Sequence, residues 1–180
     1  MPDNHFAYKV EKSSLLEGVT VITGTKNEDL RGIIYSPYQK NFFENLIPDE
    51  ITFLHDKFSI SKKSALHGLH GDKKTWKLVS CVAGRIFQVI VDCRPKSSTY
   101  LKWQSWYLSQ DDPVSILVPP SFANGFCTIK QNSVYHYKLA YDGKYNDANK
   151  KYKEIRDIVD YVCKEEQEEE INMNCINEDL

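Results

Sequence analysis

Apolar and β-branched residues in this chain fall in short runs up to about residue 148, and at helical spacing after it. Residues 19–23, Val-Thr-Val-Ile-Thr, form a compact β-branched run, and residues 29–32 read as a turn. Residues 39–46 suit a short helix stopped by Pro48, and residues 51–55 return to an extended pattern. Five more strands are predicted at 75–81, 86–93, 103–108, 115–118 and 133–141. Turn residues separate them: Ala83-Gly84, Arg94-Pro95, the Asp-Asp-Pro of 111–113 and the Lys-Gln-Asn of 130–132. Many short strands at this spacing predict an antiparallel sandwich or barrel. Residues 86–92 alternate in part, as one face towards a barrel interior requires.

Ile155, Ile158, Val159 and Val162 then recur at i, i+3, i+4 and i+7, the period of an amphipathic helix. An acidic run, Glu165 to Glu170, follows. Residues 148–180 hold five Lys and Arg against ten Asp and Glu, a net of −5, which leaves about +3 for the rest of a chain at −2. The expected division is therefore a β domain over 1–147 and a helical, acidic segment over 148–180 with a solvated end.

Composition narrows the function classes. A length of 180 residues, 41% of them hydrophobic, suits a single domain with a substantial core. A net charge of −2 gives no basis for nucleic-acid or membrane-surface binding. No apolar run nears the roughly 20 residues that cross a bilayer, and the polar N-terminus does not read as a signal peptide. The five cysteines are odd in number, and none form Cys-x-x-Cys pairs. Free thiols in a reducing, cytoplasmic setting are the expectation, rather than a disulfide frame or a zinc site.

Two histidines, His67 and His70, draw attention first. Residues three apart on a strand point to opposite faces, and no third ligand accompanies them, so no metal site is expected. Tyr135, Tyr137, Leu139 and Tyr141 should share one strand face, with Val134, His136 and Lys138 on the other. Aromatic packing explains most such rows. A tyrosine aimed into a polar lumen is instead a usable acid, and a lumen-facing Lys77 is a preset cation for an oxyanion.

Several motifs in order resemble the dTDP-4-dehydrorhamnose 3,5-epimerase family. They are His67-Gly-Leu-His70, Lys77-Leu-Val79, Gly84-Arg-Ile-Phe-Gln-Val-Ile-Val-Asp-Cys-Arg94, Ser97-Ser-Thr99, Leu108-Ser109, Pro119-Pro-Ser-Phe-Ala-Asn-Gly-Phe126 and Tyr137-Lys138. They span roughly residues 15–147. The resemblance implies an all-β fold, a cupin-type jelly-roll barrel carrying here a C-terminal helix. It implies a homodimer that exchanges an N-terminal strand, and an isomerase that needs no cofactor. His70 matches the family's base, Tyr137 its acid and Lys77 the lysine near the enolate. Arg31 matches an arginine that grips the pyrophosphate. His55, Lys57, His67, Asp72, Asn124 and Tyr145 complete the implied substrate-binding set. The segments His55-Asp-Lys-Phe58, His70-Gly-Asp72 and Val91-Asp-Cys-Arg94 look closest to the branch acting on GDP-4-keto-heptoses in capsule biosynthesis, with dTDP-linked hexoses as the other substrate class.

The implied chemistry suits the residue types. A C4 ketone acidifies the protons on C3 and C5. An imidazole, ordinarily near pKa 6.5, removes one, and a phenol returns one from the other face.

The sequence departs from the family pattern at several points. His67 replaces an arginine, Gly71-Asp72 replaces an aromatic-Gln pair, Asn124 replaces a histidine and Gln88 replaces an aspartate. No Trp-Asn-Asp or late Ser-x-x-Asp follows Ala148, so the carboxylate that supports the base must come from elsewhere, with Asp72 and Asp92 as the expected substitutes. A second reading is therefore a weakened sugar-nucleotide-binding module with a regulatory or scaffolding role. A third is a cupin that shifts the keto group between C3 and C4.

Overall fold

A computed structural model describes residues 7–141 and the backbone of 150–151. Six strands form one antiparallel sheet in the order β1-β2-β10-β7-β12-β5. They are β1 (Tyr8–Lys12), β2 (Thr20–Gly24), β10 (Val114–Val118), β7 (Trp76–Ala83), β12 (Ser133–Tyr141) and β5 (Thr52–Ser61). A second sheet runs β13-β6-β11-β8-β9. It contains β13 (Lys150–Lys151), β6 (Leu66–Gly71), β11 (Phe122–Thr128), β8 (Arg85–Asp92) and β9 (Trp103–Ser109). β3 (Lys26–Asp29) and β4 (Gly32–Tyr35) make a separate exposed hairpin, and α1 (Lys40–Phe43) runs into a 3₁₀ turn over Glu44–Leu46. The architecture is the expected cupin-type jelly roll.

From β5 to β12 the chain crosses from one sheet to the other at every step except the β8–β9 hairpin, so each sheet is stitched largely from distant segments. The inner core lies between them, with Val79, Ile86, Ile90, Leu108, Ile116, Val118 and Phe122 all buried. Both sheets also bury part of their outer faces. On the six-stranded sheet, Ile22, Leu78, Leu117 and Ala140 pack beneath Phe43 and Ile47 from the helical segment. On the five-stranded sheet, Leu69, Phe87, Val89, Val91, Ala123 and Cys127 form a second buried cluster. Burial on both faces explains why β8 reads as Ile-Phe-Gln-Val-Ile-Val with only partial alternation.

One end of the sandwich is tied by Asp92. Its carboxylate accepts from Arg94 Nε at 2.9 Å and Nη2 at 2.7 Å, and from Ser97 Oγ and Thr99 Oγ1 at 2.6 Å each. Burial raises the pKa of this group. The bonds from Arg94, Ser97 and Thr99 outweigh that and hold it well below the usual carboxylate range. Arg94 Nη2 also donates to the Glu17 carbonyl at 2.8 Å, which fixes the chain between β1 and β2.

The strands expected at 19–23, 75–81, 86–93, 103–108, 115–118 and 133–141 and the 39–46 helix appear within a residue or two of those limits, whereas the strand expected at 51–55 runs on to Ser61 as β5. β1, β3, β4, β6 and β11 were not predicted, although residues 29–32 read as the turn that joins β3 to β4. The helix expected after residue 152 and the acidic end lie outside the described residues. Lys150–Lys151, placed in that helical segment by the sequence, instead pair antiparallel with Gly71 and His70. Cys81, Cys93 and Cys127 are buried. Among the described residues, no helix is long and apolar enough to cross a membrane.

Candidate active site

A cavity of ≈ 270 Å³ opens between the sheets, lined from β5, β6, β7, β11 and β12. The expected Lys57, His67, His70, Asp72, Lys77, Asn124 and Tyr137 all line it, with Ser59 and Tyr135 besides. His70 belongs to one sheet and Tyr137 to the other, so an imidazole and a phenol occupy opposite walls.

Both His67 and His70 face this cavity, against the strict alternation expected of a strand. The register explains it. His70 pairs with Asn124 and His67 with Phe126, so β6 spends three residues where β11 spends two. This β-bulge reverses the facing of one histidine. Glycines permit it. Gly68 has φ +122, and a Cβ there would stand 2.6 Å from the Gly125 Cα. A Cβ on Gly125 would meet the His67 carbonyl at 2.7 Å.

Lys77 sits at the cavity floor. Its Nζ donates to the His70 carbonyl at 2.9 Å and to Asn124 Oδ1 at 2.7 Å. Burial pushes the lysine down to about 8, with the Asp72 carboxylate opposing part of that shift. An ammonium can only donate, so the Asn124 oxygen must face Lys77 and its amide nitrogen must face away. That nitrogen donates to the Tyr135 hydroxyl at 3.1 Å. The Tyr135 oxygen thus accepts from Asn124 and keeps its own proton to donate. Burial raises the Tyr135 phenol far above its ordinary value, with the Asn124 bond a smaller opposing influence.

The wall beside these groups is an aromatic stack. His67 lies on Phe126 at 4.7 Å and 12°, Phe126 on Tyr135 at 4.0 Å and 22°, and Tyr135 beside Tyr137 at 5.5 Å. His67 Nε2 is also 2.9 Å from Ser61 Oγ, which is 3.2 Å from Ser59 Oγ.

Other expected residues lie elsewhere. Arg31 is at the tip of the β3–β4 hairpin, paired with Asp29 and almost fully exposed. His55 is not among the lining residues; its Nε2 meets the Tyr141 hydroxyl at 3.1 Å. Tyr141 is likewise not among the lining residues; the register shift at Leu139/Ala140 places its extra residue in β5 and leaves the alternation of β12 unbroken. Tyr145 lies outside the described residues.

Of the two carboxylates expected to support His70, Asp92 is consumed by its own turn, away from the cavity lining. Asp72 does line the cavity, with Oδ1 capping the amides of Lys74 and Thr75 at 2.8 and 2.7 Å. Among the described residues, no three His, Cys, Asp or Glu side chains are grouped to hold a metal.

Ser59 and Tyr135 were not singled out as functional from sequence. Tyr135 carried a signal, since it lies two positions from Tyr137 on the same strand face. Ser59 carried none, because nothing in the sequence pairs β5 with β12.

Known proteins resemble this chain in sequence and in fold. The family model described as dTDP-4-dehydrorhamnose 3,5-epimerase matches residues 13–161. A protein of that name from Salmonella typhimurium is 38% identical over 113 residues, covering 61% of this chain and 62% of the relative. The Escherichia coli protein of that name is 33% identical over 126 residues, 68% of each chain. The chain thus matches somewhat under two thirds of the Salmonella relative's length. Among solved structures, an epimerase from Bacillus anthracis with TDP and PPi bound superposes with TM-score 0.70 at 31% identity, covering 81% of this chain and 83% of that one. A dTDP-6-deoxy-D-glucose-3,5-epimerase from Legionella pneumophila, in complex with dTDP-4-keto-L-rhamnose, gives TM-score 0.73 at 28% identity, covering 81% and 77%. The chain belongs to the dTDP-4-dehydrorhamnose 3,5-epimerase family.

Proposed function

We propose that this protein is an isomerase that inverts C3, C5 or both in a nucleotide-linked 4-keto sugar. The observation that carries this reading is the placement of His70 and Tyr137 on facing sheets, across one cavity floored by Lys77. The His70 imidazole takes the proton from a carbon beside the C4 ketone. The electron pair left behind moves onto O4, where the Lys77 ammonium and the Tyr135 hydroxyl stabilise it. Tyr137 then gives a proton to the same carbon from the opposite side, and the centre inverts. A proton leaves and a proton returns, so the oxidation state is unchanged and the chemistry calls for no hydride carrier.

A cavity of ≈ 270 Å³ falls just below the roughly 300–1,000 Å³ of sites that enclose whole ligands, which suits a sugar ring and leaves the nucleotide outside. The names of the relatives favour a dTDP-linked 6-deoxyhexose. The segments around His55 and Asp72 favour a GDP-linked heptose of capsule biosynthesis. The working assembly is a homodimer, supported by the exposed β3–β4 hairpin and by an apolar stripe on β5. A second subunit's hairpin is then a route by which Arg31 reaches a nucleotide. The nucleotide-sugar chemistry and the buried thiols suit the cytoplasm.

Incubation in deuterated water with dTDP- and GDP-linked 4-keto sugars, followed by NMR at C3 and C5, tests this reading. Exchange that His70→Ala abolishes supports it, and Tyr137→Phe should keep exchange while losing inversion. Binding of every substrate tried with no exchange at either carbon refutes it and favours the weakened binding module.

A further inference from the structure

We infer that Asn124 is a positioning residue whose carboxamide, held at one end by Lys77, turns the hydroxyl proton of Tyr135 into the cavity, a role that rests on the epimerase reading above. Asn124 is fixed first by its backbone. It stands inside the five-stranded sheet, opposite His70 of β6 on one side and Ile90 of β8 on the other. Lys77 and Tyr135 both belong to the facing sheet. Lys77 lies opposite Leu139 there, four positions along β12 from Tyr135, so about 13 Å of strand separates their backbones. One carboxamide meets the tips of both, with Oδ1 2.7 Å from Lys77 Nζ and Nδ2 3.1 Å from the Tyr135 hydroxyl.

Donor and acceptor chemistry leaves one polarity for this chain of contacts. An ammonium has no lone pair, so Lys77 has to meet the amide oxygen, and the amide nitrogen, which only donates, is what remains for Tyr135. That bond occupies a lone pair of the phenol oxygen, so the phenol proton needs another acceptor. Burial keeps the phenol protonated, which makes it a hydrogen-bond donor rather than a base. Among the described residues, Asn124 alone meets that hydroxyl, so the acceptor has to come from the cavity that Tyr135 lines. An O4 that gains charge as the enolate forms is such an acceptor. A carboxylate at position 124 would keep the shape and reverse the polarity. It accepts from Lys77 and from Tyr135 alike, the phenol proton turns away from the cavity, and lone pairs are left facing the oxyanion.

Hydrogen exchange into a 4-keto sugar in deuterated water, measured for the wild type, Asn124→Asp, Tyr135→Phe and the double variant, tests this. Each single variant should slow exchange by about a hundredfold or more, the cost of one lost oxyanion donor, with kcat falling far more than KM rises. The double variant should lose much less than the product of the two, because the carboxamide acts through the phenol. Losses that multiply in full overturn the assignment, as does an Asn124→Asp protein that exchanges like the wild type. Neutron diffraction from wild-type crystals in deuterated water reads the polarity with no variant and no substrate. Deuterons on Asn124 Nδ2 towards Tyr135, and on Tyr135 towards the cavity, are expected. A Tyr135 deuteron pointing at Asn124 overturns the assignment too. The expected deuterons in a protein that exchanges no 4-keto sugar would support the polarity set by Asn124 while refuting the epimerase reading.

Discussion

Lys77 combines a charge that the reaction uses with a position that penalises charge. Its ammonium is held by two neutral acceptors on a floor with little access to water, and burial brings its pKa from 10.5 to about 8. The cationic form stabilises an enolate at O4, and that form is lost as pH rises through about 8. Exchange rates measured from pH 6 to 10 should therefore decline on the alkaline side near pH 8. Lys77→Arg, whose guanidinium stays charged, should flatten that limb, and an unmoved limb would assign it to another group. The same shift leaves a mark on stability. Between about pH 8 and 10.5 the unfolded chain binds more protons at Lys77 than the folded one, so wild-type stability should rise with pH across that window relative to Lys77→Met. Below pH 8 both states carry the proton and the difference should be flat. Denaturant titrations of the two proteins at pH 7, 9 and 10.5 would show whether the slope has this sign.

At the scale of elements, the site depends on one irregular pairing. β6 and β11 come together through Gly68 and Gly125, whose backbones approach too closely for a side chain on either. The extra β6 residue puts His67 and His70 on the same cavity. Gly125→Ala directs a methyl at the His67 carbonyl 2.7 Å away and at the Leu69 side chain 3.0 Å away. Relief requires β6 to shift. Denaturant unfolding should show a loss of about 1–3 kcal/mol, with hydrogen exchange into substrate falling further than stability accounts for. A variant with wild-type stability and rate would show that the bulge tolerates more room than the geometry gives it.

The same pairing explains what the sequence concealed. β7, β8, β9, β10 and β12 announced themselves as β-branched and aromatic runs between turns. β6 and β11 carry glycines and polar residues in their middles, at His67-Gly-Leu-His-Gly71 and Ala123-Asn-Gly125, and a period-2 pattern does not survive a bulge. β1, Tyr-Lys-Val-Glu-Lys, is an exposed and charged strand whose structure comes from its partner β2. His70, Lys77 and Tyr137 were legible as motifs in a known order. Their convergence was not, because it depends on which sheet each strand joins.

The whole molecule presents one surface that its own described residues do not cover. β5 closes one edge of the six-stranded sheet, and Leu54, Phe58 and Ile60 on its outward face are 46%, 61% and 74% exposed. Asp56 lies among them, but its charge is met by His136 Nε2 at 2.6 Å and Lys138 Nζ at 2.8 Å, and Phe58 stacks on the His136 ring at 4.8 Å. Burial acts to raise the Asp56 pKa, yet the bonds from Lys138 and His136 outweigh it and keep the carboxylate ionised. The stripe is thus apolar with its one acid internally paired, beside a strand edge that no other described strand joins. Such an edge invites a second strand or a second sheet. Under the proposed homodimer this face lies at the interface, and a hairpin carrying Arg31 from one subunit can then serve the cavity of the other. Phe58→Glu combined with Ile60→Glu places two unpaired carboxylates in that contact without touching the cavity lining. Light scattering coupled to size exclusion should find the wild type as a dimer and the double variant as a folded monomer. The monomer should bind nucleoside diphosphate more weakly, because the Arg31 hairpin of its neighbour is gone. A double variant that remains dimeric would move the interface off β5. Full diphosphate affinity in a true monomer would show that each cavity is complete within one chain.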